Sequence, residues 1–95
     1  MLHTLSHSPW HCDIESLLRM VREGDALLLI QDGVLAAVEG SRFVDLLNNA
    51  PISVSALKDD IEARGLAGQI SASIDVVSYT DFVNLVVQHA GQMNW

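Results

Sequence analysis

The chain has 95 residues, with 12 acidic residues against 5 Lys and Arg residues and a formal charge of −7. This length allows one domain. The acidic balance argues against a chain that grips nucleic-acid backbones by itself, because that affinity comes from Lys and Arg. The single cysteine excludes an internal disulfide framework and a zinc ribbon, and it fits a reduced, cytosolic setting.

The apolar content is high for so small a chain. Hydrophobic residues make up 49% and charged residues 18%, against a usual charged fraction of about 25%. Small domains have much surface and little interior, so part of this apolar content should face outward and contact a partner. The longest apolar runs, among them residues 26–30, are far below the roughly 18 residues of a membrane helix, and we find no secretory signal at the start of the chain.

The first third of the chain predicts a strand, a helix and a second strand. Residues 1–5 are expected to form a short first strand, and Asp13 is a good N-cap for the helix that follows. Gly24 stands where a helix C-cap belongs, and the continuously apolar residues 26–30 suit a central parallel strand covered on both faces. The helix has apolar residues at helical spacing, namely Ile14, Leu17, Leu18 and Val21.

The middle third begins with a turn at Asp32 and Gly33. We expect Asp32 to cap the helical turn that follows and Gly33 to take a positive φ. Ser41 should cap a short helix that cannot continue through Pro51. Residues 52–56 alternate between apolar and polar side chains, which predicts a third strand with one wetter face.

The last third predicts a helix, a strand, a helix and a tail. Residues 59–64 form a short helix with an acidic first turn at Asp59 and Asp60. A fourth strand covers residues 74–77, Thr80 caps the final helix, and residues 92–95 form a tail. The apolar face of that helix carries Phe82, Leu85, Val86 and His89, with the histidine expected in a core or interface setting.

Strands separated by helices require crossover connections, which produce a parallel sheet. We therefore expect a single Rossmann-like or flavodoxin-like α/β domain over residues 1–95. It should contain an open parallel sheet of about four strands, with helices on both faces. By analogy with flavodoxin-like folds, the expected strand order is 2-1-3-4.

Cys12 is the one candidate nucleophile. It lies at the start of the first helix, where the helix dipole favours a thiolate, and His7 and His11 are close along the chain. The carboxylate of Asp13 acts against a second anion at this position. A persulfide-bearing thiol and an incidental loop thiol are the two interpretations.

The histidines do not form a convincing metal motif. His7 and His11 have i, i+4 spacing, but Pro9 lies between them, and the segment precedes the helix that could align them. His3 belongs to a strand, which favours a core or interface setting. No phosphate-binding glycine motif is present, so we expect neither a metal nor another cofactor.

Two further features could contact other molecules. Asp32 follows the central strand at the edge where open parallel sheets bind ligands, so a small-ligand site there is one hypothesis. Met93 and Trp95 are large apolar groups in a tail that is normally polar. They should either fold back on their own domain or serve as interface residues that fill a neighbour's pocket.

The ordered set of segments resembles the TusB/DsrH family over essentially the whole chain. It runs from Leu2-His3-Thr4-Leu5 and Ser8-Pro9-Trp10 through residues 27–34 and 36–38. It continues through Leu57, Asp60, Ala63-Arg64-Gly65-Leu66 and Tyr79-Thr80-Asp81-Phe82-Val83 to Gln92-Met93 and Trp95.

This resemblance implies a DsrE/DsrF/DsrH-like domain and a role as a non-catalytic structural subunit in the cytoplasm. It implies assembly with TusC-like and TusD-like subunits as a dimer of heterotrimers, a heterohexamer. Such a TusBCD complex would relay persulfide sulfur from TusA to TusE for 2-thiolation of wobble uridine in tRNA. No direct contact of this chain with nucleic acid or membrane is implied.

The resemblance also bears on the reactive sulfur, which it places on the TusD-like subunit. DsrH proteins of sulfur oxidisers have a cysteine on the first helix, at the position of Leu17 here, and Cys12 does not replace it. The alternative function is a sulfurtransferase subunit that carries persulfide on Cys12. A third hypothesis is a self-associating module that binds a small ligand at the Asp32 edge.

Overall fold

Five strands form one parallel sheet in the computed structural model, which describes residues 1–95. The strands are β1 (Leu2–Leu5), β2 (Ala26–Leu29), β3 (Ser53–Leu57), β4 (Asp75–Val77) and β5 (Gln92–Asn94). The helices are α1 (Ile14–Met20), α2 (Arg42–Asn48), α3 (Lys58–Ala63) and α4 (Tyr79–Gln88), and 3₁₀ segments cover Pro9–His11 and Gln31–Ala37.

The strand order is β4-β3-β2-β1-β5, with every neighbouring pair parallel. The α/β class and the open parallel sheet are confirmed, and β2 is the central strand as its unbroken apolar sequence predicts. The flavodoxin-like order 2-1-3-4 is wrong. The first four strands are added in one direction, and the chain then crosses back to place β5 beside β1.

This order decides where the helices lie. Right-handed crossovers that step in one direction place their helices on one face of the sheet. α1, α2 and α3 pack there on Leu27 and Leu29 of β2, within the larger hydrophobic core. The single return crossover puts α4 on the opposite face, against Leu2, Ala26 and Leu28. One face is therefore thickly covered, and the other is covered by one helix with no fully buried residue.

The predicted tail is instead the fifth strand. The N–H of Leu2 donates to the Gly91 carbonyl at 2.9 Å, and the N–H of Trp95 donates to the Thr4 carbonyl at 2.8 Å. On the side chains, the Thr4 hydroxyl donates to Asn94. The register pairs Leu2 with Gln92. Three residues suffice because β1 supplies the hydrogen-bonding partners, and without β5 the buried β1 would have an unpaired edge.

Local capping is largely as the sequence predicts. Asp13 accepts the N–H of Ser16 at the start of α1, and Ser41 accepts that of Val44 at the start of α2. The cap of α4 is Ser78 rather than the predicted Thr80. Ser78 accepts the N–H of Asp81, whose carboxylate accepts the N–H of Ser78 in return, forming a capping box.

Two boundaries also differ from the sequence prediction. α1 ends at Met20, where Val21 is already extended, so Gly24 lies in the turn before β2 instead of capping the helix. The longest helix, α4, has 10 residues. No helix combines the length and hydrophobicity that a bilayer span requires.

Candidate functional site

The carboxyl edge of the sheet holds a network of charged side chains around the turn after β2. The Arg64 guanidinium donates to one Asp32 oxygen through Nε at 3.0 Å and through Nη2 at 2.9 Å. It also donates to the main-chain carbonyl of Asp60 at 3.0 Å. The Asp60 carboxylate accepts the N–H of Gln31 at 2.7 Å. These bonds join the 3₁₀ segment to α3, and the predicted cap by Asp32 is wrong because its carboxylate pairs with Arg64 instead.

The positive φ that the sequence predicted for Gly33 is found at Gln31 instead, and Gly33 is required for a different reason. The positive φ of this turn is at Gln31, at 50°, and the hydrogen bond that its N–H donates to the Asp60 carboxylate holds that residue in place. Gly33 has no positive φ but lies against β1. A Cβ there would come within 1.9 Å of the Leu5 carbonyl oxygen. No cavity opens at this edge, which gives the ligand hypothesis for Asp32 no enclosed space.

Cys12 lies between the first 3₁₀ segment and α1, half-buried against the main core. Burial raises the pKa of its thiol, and the neighbouring Asp13 carboxylate raises that pKa further. Its Sγ has no hydrogen bond to His7 or His11, so no base is positioned to remove the proton. This setting disfavours the thiolate that persulfide chemistry needs.

The histidines considered as partners of Cys12 or as metal ligands do not converge on one site. His7 bonds through Nδ1 to the Trp95 oxygen at 3.1 Å, while His3 is enclosed in the sheet with 1% exposure. No three His, Cys, Asp or Glu side chains stand close enough together to hold a metal ion. Leu17, where the family resemblance led us to expect the DsrH cysteine, is fully buried in the main core. A thiol there would be closed to a partner protein.

A partly buried chain of hydrogen bonds runs through His3, and sequence reasoning missed its partners. The Trp95 indole N–H donates to His3 Nδ1 at 3.3 Å, and His3 Nε2 lies 3.1 Å from Asp25 Oδ2. An indole N–H can only donate. Nδ1 is therefore the acceptor, and the imidazole is held as its Nε2–H tautomer, which donates to Asp25.

Asp25 is the centre of this chain. It accepts the Met1 amino group at 3.0 Å, the main-chain N–H of Arg22 at 3.0 Å and His3 Nε2. The hydrogen bond from the amino group, with those from Arg22 and His3, holds the pKa of Asp25 well below its usual range, against the opposing effect of burial. The negative charge of Asp25 is thus balanced within the domain by the Met1 amino group.

Next to this centre, at the amino edge of the sheet, lies a cavity of about 300 Å³, which we call the methionine cavity. It includes all three methionines of the chain. Its lining residues are Met1, His3, Arg19, Met20, Arg22, Asp25 and Met93. Nothing local marks it in the sequence, because three separate stretches of the chain, at 1–3, 19–25 and 93, supply these residues.

Met93 and Trp95 stand on β5 and directly after it. The Trp95 ring packs partly buried against the main core, and Met93 lines the methionine cavity. Trp95 therefore folds back on its own domain, which was one of the two expected arrangements. An interface role for the pair remains a prediction. His89 is half-buried just after α4.

A second apolar surface lies on α4. Phe82, Leu85 and Val86 pack toward the sheet, whereas the opposite side of the helix has an exposed stripe of Tyr79, Val83 and Val87, the last 78% exposed. Sequence composition predicted outward-facing apolar groups, and this stripe accounts for part of them.

A family model described as "DsrH like protein" matches residues 7–92. Proteins named "Protein TusB" match over the full length of both chains. The identity is 74% for Enterobacter sp. strain 638, 60% for Klebsiella pneumoniae strain 342 and 59% for Escherichia coli K12 strain DH10B.

Two solved structures share the fold. The ychN protein of E. coli superposes with a TM-score of 0.78 at 12% identity, covering 99% of this chain and 97% of that one. Protein Tm0979 of Thermotoga maritima superposes with a TM-score of 0.69 at 28% identity, covering 94% of each chain.

Proposed function

Because this chain belongs to the DsrH/TusB family, we propose that it is a non-catalytic structural subunit of a sulfur-relay complex. Residues 1–95 act as one domain beside TusC-like and TusD-like subunits, in a dimer of heterotrimers. The complex relays persulfide sulfur from TusA to TusE for 2-thiolation of wobble uridine in tRNA, and it works in the cytoplasm.

The state of the only thiol carries the non-catalytic assignment. A sulfur carrier needs an accessible thiolate, whereas Cys12 is half-buried, has a raised pKa and has no hydrogen-bonded base. The reactive cysteine therefore resides on another subunit. This subunit contributes apolar surface, which stabilises association at about 25 cal/mol per Å² before the costs of ordering. Its charge of −7 leaves tRNA contact to other components.

The first experiment tests assembly. The chain is co-expressed with the TusC-like and TusD-like subunits of its own organism, and the purified material is measured by native mass spectrometry. One complex containing all three subunits is expected. A chain that remains a separate species at micromolar concentrations of all three would contradict the proposal.

The second experiment separates the structural role from the alternative of a persulfide on Cys12. A strain lacking this chain is complemented with wild type or with Cys12→Ser, and 2-thiouridine in digested tRNA is quantified by mass spectrometry. Wild-type thiolation by the variant supports a structural subunit. Lost thiolation in a variant that still assembles would assign the sulfur to Cys12.

A further inference from the structure

We propose that the methionine cavity receives a segment of a partner subunit in which an apolar side chain stands beside a carboxylate. This inference rests on the proposed function, because the partner is a subunit of the same complex. The cavity is a concave surface that combines apolar walls with positive charge, in a chain that is acidic as a whole.

The positive charge comes from Arg19 and Arg22, neither of which forms a direct salt bridge with a carboxylate of this chain. The Arg19 guanidinium donates to the Ser16 hydroxyl at 3.0 Å, and that hydroxyl in turn donates to Asp13, so Arg19 reaches this carboxylate only through Ser16. The chain's other basic side chains are engaged elsewhere. Lys58 pairs with Glu62, Arg64 pairs with Asp32 and Asp60, and Arg42 lies over the rings of Trp10 and Phe43.

Asp25 does not cancel the two guanidinium groups. Its carboxylate already pairs with the Met1 amino group at 3.0 Å and accepts two further hydrogen bonds. The amino group and Asp25 together are neutral, so the lining has a surplus of two positive charges from Arg19 and Arg22. A ligand with a carboxylate complements this surplus, and charge complementarity also speeds the encounter of two proteins.

The size and walls of the cavity favour an inserted side chain over a free small molecule. About 300 Å³ is at the lower limit of ligand pockets, which bury most of their ligand. Met1 and Met20 are each about half exposed at this cavity, so a small molecule would stay largely in water. Methionine side chains adapt their shape to an incoming apolar group, as they do on protein-binding surfaces.

The cavity also borders a free sheet edge. Met93 lies on β5, which pairs only with β1, so the outer edge of β5 has unpaired main-chain groups. A partner segment that enters the cavity can hydrogen-bond to these groups as it passes. Apolar insertion, ion pairing and main-chain bonding thus converge at one place.

The test uses the complete complex and three variants. Arg19→Gln with Arg22→Gln removes the charge, and Met20→Ser removes an exposed apolar wall while leaving both arginines. The control, Arg42→Gln with Lys58→Gln, loses the same charge at a distance from the cavity. Affinity for the pre-formed TusC-like and TusD-like pair is measured by titration at low and at physiological salt. Circular dichroism confirms that each variant is folded.

We expect the Arg19/Arg22 variant to bind about tenfold more weakly, with a shallower salt dependence. Met20→Ser should also weaken binding, and the control should stay within about twofold of wild type. Equal affinity of wild type and both cavity variants would overturn the inference, as would a control that loses as much as the Arg19/Arg22 variant. Failure of the wild-type chain to bind would instead contradict the proposed function.

A photo-crosslinking residue at position 20 identifies the occupant. A crosslink to a partner peptide that contains Asp or Glu next to an apolar residue supports the inference, and no crosslink within the intact complex overturns it. If the isolated wild-type chain is a dimer that the Arg19/Arg22 variant splits, the occupant is a second copy of this chain, and the inference is again overturned.

Discussion

Substitution of Gly33 by alanine tests the packing of the turn after β2 against β1. The added Cβ would lie 1.9 Å from the Leu5 carbonyl oxygen and 2.7 Å from its carbonyl carbon. Both are main-chain atoms, so no side-chain rotation relieves the clash. The carbonyl would have to retreat by about 1.5 Å to reach the 3.4 Å of ordinary contact.

That movement is costly because the Leu5 carbonyl already accepts a hydrogen bond. It accepts the N–H of Ile30 at 2.9 Å, at the point where β1 and β2 end together. Overpacking of a well-packed interior costs typically 1–3 kcal/mol, and a weakened hydrogen bond adds about 1 kcal/mol. We expect Gly33→Ala to lower the free energy of unfolding by about 3 kcal/mol and Tm by about 15 °C.

Urea denaturation followed by circular dichroism measures this loss on the purified chain. Gly68→Ala is the matched control, because a Cβ at Gly68 meets nothing within 4 Å and the residue has no positive φ. The control should stay within about 0.5 kcal/mol of wild type. A Gly33→Ala protein that is equally stable would refute the argument that this glycine is required for space.

Three further outcomes follow from single side chains. Asp25→Asn should lower stability at pH 7, whereas Asp59→Asn should not. The pKa of Asp25 is depressed in the folded state, so its ionised carboxylate stabilises the fold above about pH 4. This contribution to the free energy of unfolding is lost as the pH falls below that value. The urea midpoints of the variant and the wild type should therefore converge in acid. Ser78→Ala should cost about 1 kcal/mol and speed hydrogen exchange in α4, since the capping box is lost, whereas Thr80→Ala should leave exchange unchanged. Alkylation of Cys12 should be slower at pH 7.5 than that of free cysteine, because its pKa is raised; an equal rate would contradict its half-buried setting.

Sequence reasoning succeeded where a signal is local. The caps Asp13 and Ser41 act on main-chain groups within the next turn, and their residue types alone predict them. The unbroken apolar run that gives β2 likewise marks a strand with both faces covered. These features need no knowledge of what lies far along the chain.

Sequence reasoning failed where a feature depends on residues that are far apart along the chain. In β5 the polar residues Gln92 and Asn94 flank the apolar Met93, but three residues are too few for this alternation to indicate a strand without the pairing partner β1. The bond between Arg64 and Asp32 joins residues 32 positions apart. The methionine cavity is assembled from three distant stretches of the chain, so no window of sequence contains its pattern.

The position of β5 beside β1 has a consequence for biosynthesis. The edge of β1 is covered by residues 92–94, which are synthesised 90 positions after their partners in β1. At roughly 5–20 residues per second, the nascent chain waits on the order of ten seconds with that flank open to other chains. Protection by a chaperone, or early docking of a sister subunit, would matter most during this interval.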